Sequence, residues 1–101
     1  EIDMPHFVEI RDTGDYTGDA GFTACHFFLP EELRAAFTGR GVEIVEMVGL
    51  EGISSHHRRS VNRLAKDEKR WAPWLETHYR TCTHPSAVGI SEHTMIVCNK
   101  T

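Results

Sequence analysis

The sequence predicts one α/β domain in which a short helix, a strand, a helical excursion and a last strand follow in that order. Two runs of β-branched and apolar residues, 42–48 and 93–98, have the composition of strands covered on both faces, as in layered α/β sheets. More than forty residues separate the two runs, too many for a hairpin turn, and they carry apolar residues at helical spacing. The length of 101 residues leaves room for a single domain, residues 1–101.

The segment before residue 30 is predicted to contain little regular structure. Residues 5–11 are expected to make one or two helical turns, because Pro5 suits the first helical position. Residues 12–21 are dense in glycine and aspartate, which is typical of a loop. Residues 22–29 are aromatic and extended in character, and both a short strand and a buried approach segment fit that composition.

A helix over residues 30–38 has signals at both ends. Pro30 lacks an N–H that the first helical turn does not use, and Gly39 and Gly41 accept the conformation that ends a helix. Its apolar face consists of three residues at i, i+3 and i+4 spacing, namely Leu33, Ala36 and Phe37. We therefore expect a short amphipathic helix directly before the first strand.

The strand over residues 42–48 is predicted to be apolar on both faces. Simple alternation places one apolar set on one face, namely Val42, Ile44 and Val48. It places a second set on the other face, namely Val45 and Met47. Such a strand is expected to be covered on both sides.

The excursion between the strands is predicted to be helical over about residues 55–83. Helical spacing persists over about six turns, through Val61, Leu64, Ala65, Glu68, Trp71, Leu75, His78, Tyr79 and Cys82. Pro73 cannot donate an N–H and clashes with the preceding turn, so we expect a break or kink near residues 69–72. Residues 83–86 are predicted to end the excursion, and residues 87–90 to lead into the last strand.

Composition and charge narrow the classes of function. Hydrophobic residues make up 40% and charged residues 26%, as in globular proteins, and no apolar run approaches the roughly 20 residues that span a bilayer. The net charge of −4 argues against a nucleic-acid partner, because binding one requires neutralised phosphates. The bases are concentrated between residues 58 and 70. Three cysteines without CxxC spacing indicate a reducing compartment, which predicts a cytoplasmic protein.

Three consecutive segments carry a resemblance to a known family. They are Phe27-Phe-Leu-Pro-Glu-Glu-Leu-Arg34, Gly39-Arg-Gly41 and Val42-Glu-Ile-Val-Glu-Met-Val-Gly-Leu-Glu-Gly52. Their order resembles the C-terminal part of class I S-adenosylmethionine-dependent methyltransferases, where a Phe/Tyr-Phe-x-Pro-Glu-Glu-Leu helix precedes a glycine and the sixth strand. In some members an inserted helical segment follows, then a seventh strand antiparallel to its neighbours. The resemblance covers nearly the whole chain and implies part of a Rossmann-like sheet, classed as α+β when it stands alone.

The cofactor-binding signatures of that family are missing from this sequence. The family binds S-adenosylmethionine with a glycine-rich loop and an acidic residue in an N-terminal half of roughly 120–150 residues. Gly14, Gly18 and Gly21 form a cluster here, but no apolar strand precedes it and no helix follows at once. With Glu1 as the first residue, the resemblance predicts a substrate-side fragment that is inactive and binds no cofactor alone. The intact parent protein is expected to bind S-adenosylmethionine.

The resemblance implies that the helical insertion forms a lid or wall of the pocket for a methyl acceptor, whose identity the sequence does not reveal. The candidate substrate-contact residues are Trp71, Trp74, His78 and Tyr79, with Arg58, Arg59 and Arg63 for an acidic group. Residues such as Trp71, Leu75 and Tyr79 at helical spacing are core residues more often than ligands, so that interpretation stays open. Nothing in the sequence places a carboxylate beside His78 to favour it as a general base.

Two other functions remain open from the sequence. One is a stand-alone α+β interaction module, and the other is a metal-binding regulatory domain that uses His78, Cys82 and His84. A structural zinc site usually takes four ligands in paired short spacings, and no second pair is clear here. In a fragment, one edge of the strand over residues 42–48 would lack its neighbour from the missing half. We therefore expect self-association, as a symmetric dimer or by exchange of a strand or helix.

Overall fold

The computed structural model describes residues 4–18 and 21–101 and has a mixed α+β architecture. The helices are α1 (Met4–Thr13), α2 (Pro30–Phe37), α3 (Arg58–Leu64), α4 (Glu68–Thr81) and α5 (Pro85–Ile90), with a 3-10 turn at Gly52–Ser54. The strands are β1 (Asp15–Tyr16), β2 (Cys25–His26), β3 (Val42–Gly49) and β4 (Thr94–Lys100). β1 pairs antiparallel with β2, and β3 pairs antiparallel with β4 in the main sheet. The α+β class predicted for the chain on its own is confirmed.

The main sheet departs from the predicted alternation because β3 contains a bulge. The register shifts between Ile44 and Glu46, so Val45 is an extra residue without a partner in β4. Because opposed residues share a face, one face of β3 carries Val42, Ile44, Met47 and Gly49, and the other carries Glu43, Glu46 and Val48. The predicted grouping of Val48 with Val42 is therefore wrong. One inserted residue exchanges the faces of every position after it.

Cover on the main sheet is present on one face, whereas the sequence predicts cover on both. Helix α5 packs against β3 where Met47 and Gly49 are buried. On the opposite face, Met95 is 44% exposed and Val97 is 38% exposed. Among the residues that the structure describes, few hydrophobic ones are buried, namely Tyr16, Met47, Cys82, Ala87 and Val88.

The helical excursion runs to residue 90 and turns at a different place from the one predicted. The predicted break near residues 69–72 is wrong, because α4 continues through Pro73 and the chain turns at residues 65–67. The Asp67 carboxylate accepts hydrogen bonds from the N–H groups of Lys69 and Arg70, which caps a new helix. Pro73 lies in the second turn and removes one hydrogen bond, to the carbonyl four residues earlier.

Residues 87–90, predicted to be an approach to the last strand, belong to helix α5. Nδ1 of His84 accepts a hydrogen bond of 3.1 Å from the N–H of Ser86, and Pro85 occupies the first helical position. These two local signals explain a helix of only six residues. In the described part of the chain, no helix is both long and apolar enough to cross a membrane.

His26 joins the small N-terminal hairpin to α2. Its Nδ1 lies 2.7 Å from Asp15 Oδ1, and its Nε2 lies 2.7 Å from Glu32 Oε1 in the first turn of α2. Hydrogen bonds to Asp15 and to Glu32 raise the pKa of His26 above its ordinary value of 6.5.

The predicted extended segment 22–29 is a strand only at β2, and the predicted loop 12–21 contains β1, with residues 19 and 20 outside the described residues.

The stabilising effect of His26 is expected to decrease as pH rises. Because the pKa of His26 is raised in the folded chain, the imidazolium stabilises the fold fully below the ordinary pKa of 6.5, and this effect is lost as pH rises through the higher folded pKa. His26→Gln should therefore flatten the decrease in unfolding free energy between about pH 6 and about pH 8. Chemical denaturation across that range measures the effect. His57→Gln is the control, since the His57 side chain is exposed and does not cap α3. Equal slopes for the unchanged chain and His26→Gln would contradict the prediction.

Candidate functional site

A cavity of about 550 Å³ lies beside the end of the main sheet. Its lining comes from four places: the turn after β3, the start of α3, helix α4 and the segment before β4. Three aliphatic side chains, Leu50, Val61 and Leu75, contribute apolar surface. The volume lies in the range of pockets that bind small organic molecules.

Most of the substrate-contact residues predicted from the sequence line this cavity. They are Arg58 from α3 and Trp71, Trp74, His78 and Tyr79 from α4. The four α4 residues recur at helical spacing, which brings them to neighbouring positions on the helix. Tyr79 is 69% exposed, so it is not a core residue. Trp71, Trp74 and His78 are half-buried.

Two of the three predicted arginines lie elsewhere. Arg63 lines a separate hollow of about 320 Å³, together with Asp67 and Arg70, and its Nη2 lies 3.5 Å from Ser60 Oγ. Arg59 is exposed and is not among the residues that line the cavity. Successive helical residues point in directions about 100° apart, which separates Arg59 from Arg58 on α3. The cavity is therefore lined by one of the three predicted cations.

His78 is packed among aromatic rings and has no carboxylate partner among the described residues. Its ring centroid lies 6.1 Å from that of Trp74 and 5.8 Å from that of Tyr79. Its Nδ1 is buried and makes no hydrogen bond within the described structure. Gly52 makes room for the ring, because a Cβ at that position would lie 2.9 Å from Nδ1.

A carboxylate lies beside a different histidine of the cavity, His93. Glu51 Oε2 is 2.9 Å from His93 Nδ1, and Glu51 Oε1 accepts a hydrogen bond of 2.7 Å from the backbone N–H of His93. The Ser91 hydroxyl lies 3.0 Å from Glu51 Oε1 and accepts a hydrogen bond of 3.1 Å from the Glu51 N–H. Both Glu51 and His93 line the cavity.

Antiparallel pairing explains why these residues meet. Gly49 lies opposite Thr94, and the next residue pair continues the ladder with a hydrogen bond of 3.0 Å from the Leu50 N–H to the His93 carbonyl. Glu51 follows β3 after Leu50, at the end of the sheet where His93 precedes β4. The dyad is thus fixed by strand register, although its members are 42 residues apart.

The pKa of Glu51 is lowered by its partners. Partial burial raises the pKa, but hydrogen bonds from the His93 side chain, the His93 N–H and Ser91 together outweigh that effect. The pKa of Glu51 therefore lies below its ordinary value of 4.5, and the carboxylate is ionised at neutral pH. An ionised carboxylate only accepts hydrogen bonds, so Nδ1 of His93 carries the proton that it shares with Glu51.

A second histidine–carboxylate pair lies on the same cavity. The backbone N–H of His56 donates a hydrogen bond of 3.0 Å to Glu92 Oε1, and the ring nitrogen Nδ1 of His56 lies 3.4 Å from the same oxygen. The Glu92 N–H in turn donates to the Oγ of buried Ser55 at 2.9 Å. His56 has a φ of 69°, a left-handed conformation that non-glycine residues adopt infrequently.

Within the described ranges, no group of three or more His, Cys, Asp or Glu side chains is arranged to hold a metal ion.

Two of the three clustered N-terminal glycines, Gly14 and Gly18, do not fit a cofactor cradle in the described structure. Gly14 follows helix α1 instead of a strand, and a Cβ there would lie 2.7 Å from the His26 ring. A Cβ at Gly18 would lie 2.7 Å from the Ala24 nitrogen. The space beside both glycines is thus filled by the chain itself, whereas a cradle leaves it to the ligand.

No protein-family model, curated protein or solved structure matches the chain. The cavity, the two histidine–carboxylate pairs and the open sheet are the features of this chain that bear on its function.

Proposed function

We propose that the chain is the C-terminal, substrate-side part of a class I S-adenosylmethionine-dependent methyltransferase, and that its cavity is a wall of the acceptor pocket. The observation that carries this proposal is the antiparallel pairing of β3 with β4 across a helical segment whose aromatic residues line the cavity. The same order of strand, helical insertion and antiparallel last strand is expected from the Rossmann-like resemblance. The acceptor would be oriented by Trp71, Trp74 and Tyr79, since positioning of reactants supplies much of the acceleration in group transfer.

The incomplete cover of the main sheet supports a larger parent protein. In the described residues β3 and β4 form a two-stranded sheet, so each has one edge without a strand neighbour. The face that carries Met95 and Val97 is open to solvent. An added strand and an added helical layer from an N-terminal half would cover both features. Three free cysteines, Cys25, Cys82 and Cys98, favour a cytoplasmic location for that parent.

The proposal assigns the cofactor to the absent N-terminal half. Since Gly14 and Gly18 do not form a cradle, the chain alone is expected neither to bind S-adenosylmethionine nor to turn over. This chain would contribute the side of the active site that binds the methyl acceptor. Its cavity is lined by aromatic residues, by Arg58 and by two histidine–carboxylate pairs.

Calorimetric titration of S-adenosylmethionine tests the proposal. The protein encoded by the whole reading frame is expected to bind the cofactor, because it should contain a strand, a glycine-rich loop and a helix in that order. The 101-residue chain is the control and is expected to show no binding. A longer protein that contains no such unit, or that does not bind the cofactor, would overturn the proposal.

A stand-alone interaction module is the second candidate, and one observation favours it. Three consecutive apolar residues before α2 are exposed: Phe27 by 51%, Phe28 by 52% and Leu29 by 61%. Contiguous exposed apolar surface is typical of a protein-binding site. A complete reading frame that ends at this domain and adds no glycine-rich unit would favour the module over the methyltransferase.

A further inference from the structure

We propose that the chain binds a fatty-acid anion across two adjoining hollows on helices α3 and α4, outside the cavity beside the main sheet. The carboxylate would lie between Arg63 and Arg70, and the alkyl chain would lie along Ile53, Leu64 and Trp74. The ligand class is therefore a linear amphiphile whose head group carries one negative charge. This inference goes beyond the proposed function and does not depend on it.

The first hollow, here called the arginine hollow, has a volume of about 320 Å³. The turn between α3 and α4 brings Arg63 and Arg70 to the same hollow, although they belong to different helices. Arg63 has no carboxylate partner among the described residues, and its side-chain hydrogen bond to Ser60 Oγ is long, at 3.5 Å. A guanidinium presents a fork of donors that matches a carboxylate. Arg63 can therefore bind a ligand carboxylate without losing an ion pair.

The charge of the arginine hollow favours a ligand with one negative charge. Asp67 is its one carboxylate, and Oδ1 of Asp67 already accepts hydrogen bonds from the backbone N–H groups of Lys69 and Arg70. Oδ2 of Asp67 lies 3.5 Å from Arg70 Nε, which offsets part of that charge. Two guanidinium groups and one carboxylate leave one net positive charge, which a single carboxylate head group balances. Residues 58–70 contain six bases and two acids, so the surrounding surface also attracts anions.

The second hollow, here called the apolar hollow, supplies a place for the alkyl chain. Its volume is about 370 Å³, and it shares Ser60 and Leu64 with the arginine hollow, so the two adjoin. Its walls include Ile53, Val61 and Trp74, and Ile53 is 50% exposed. An alkyl chain laid along these side chains would remove apolar surface from water on both the ligand and the protein. Apolar walls that lead to a pair of arginines fit a linear amphiphile.

The cavity beside the main sheet is a less suitable place for the same anion. Its one arginine, Arg58, shares the lining with two carboxylates, Glu51 and Glu92. Those carboxylates would repel a carboxylate head group, whereas cations outnumber acids in the arginine hollow.

Calorimetric titration of the 101-residue chain with decanoate, below the concentration at which decanoate forms micelles, tests the proposal. Decanoate is expected to bind, and octanoate, which is shorter by two methylene groups, should bind about tenfold more weakly. Acetate has the same head group without the chain and should show no binding at the same concentrations.

Three charge-removing variants test the position of the head group. Arg63→Gln should weaken decanoate binding by about tenfold, because it removes an unpaired guanidinium. Arg70→Gln should weaken it less, because Asp67 offsets part of the charge of Arg70. Lys69→Gln is the matched control, since it removes the same charge next to Arg70 from a residue that lines neither hollow, and it should leave the affinity within about twofold. All three side chains are exposed, so the variants should fold.

Tryptophan fluorescence tests the position of the alkyl chain, because the sequence contains two tryptophans and they differ in what they line. Trp74 lines the apolar hollow as well as the cavity, whereas Trp71 lines the cavity alone. Decanoate should change the emission of Trp74 in Trp71→Phe and leave the emission of Trp71 in Trp74→Phe unchanged.

Three results would overturn the proposal. Absence of decanoate binding would show that the hollows are not a site for this ligand. Equal losses of affinity in Arg63→Gln and Lys69→Gln would indicate a diffuse attraction to the basic surface. A change in emission at Trp71 alone would place the alkyl chain in the cavity. None of these measurements uses S-adenosylmethionine, so their outcome is separate from that of the cofactor titration.

Discussion

The isolated 101-residue chain is expected to self-associate at micromolar concentration. Its accessible surface is 7855 Å², whereas a folded monomer of this length exposes about 5,800 Å². Its radius of gyration is 16.4 Å, against about 13 Å for a compact domain of 100 residues. The excess surface of about 2,000 Å² equals that of a permanent subunit interface. A second copy is the available partner when the chain is alone.

The open face of the main sheet is the surface on which we expect the copies to meet. It presents Met95 and Val97 with half-buried Val48 opposite Met95. The free edges of β3 and β4 add unpaired N–H and C=O groups, which favour pairing with another strand. Association through both features would give a symmetric dimer or an exchange of strands.

Light scattering coupled to size exclusion measures this prediction. The chain should elute as a dimer or larger species, and Met95→Lys with Val97→Lys should convert it to a monomer, because two charges would have to be buried at the interface. Ile90→Lys is the matched control, since Ile90 is 60% exposed on α5 and lies outside the sheet. A monomer at high micromolar concentration would contradict self-association. An unchanged dimer in the double variant would place the interface elsewhere.

The sequence predicts elements whose signals are local and misses features that depend on pairing between distant segments. Pro30 and the glycines after residue 38 bound α2 within a residue, because caps act over a few positions. The bulge at Val45 has no such signal, since it exists only relative to β4. Pro73 misleads because α4 continues through it in its second turn at the loss of one hydrogen bond, while the cap at Asp67 sets where the helix starts.

The candidate site likewise contains residues that local spacing predicts and residues that only the pairing of distant strands brings together. The aromatic residues of α4 were predictable because helical spacing places them together on one helix. Glu51 and His93 have no such local signal, although the sequence places Glu51 shortly after the predicted strand over residues 42–48 and His93 at the start of the other. Antiparallel pairing of those strands brings the two ends together, so the signal was present once the direction of pairing was taken into account.

Gly49→Ala is expected to destabilise the packing of α5 on the main sheet strongly. An added Cβ would lie 2.8 Å from the Ala87 carbonyl oxygen and 2.9 Å from Ser91 Cβ. Both atoms belong to α5 or to the residue that ends it, so neither can move without shifting the helix from β3. Overpacking of this kind costs about 1–3 kcal/mol. The same shift would displace Ser91 from Glu51 and thereby disturb the support of His93.

Gly89→Ala is the matched control for that substitution, because it adds the same methyl group on the same helix. No atom lies within 4 Å of a Cβ built at Gly89, and its φ is not in the left-handed region. Replacing a helical glycine there should stabilise the chain by up to about 1 kcal/mol. Urea denaturation at one fixed protein concentration compares the variants, since association alters apparent stability. If Gly49→Ala unfolded at the same urea concentration as Gly89→Ala, the close packing of α5 on β3 would not be what holds Ser91 and Glu51 together.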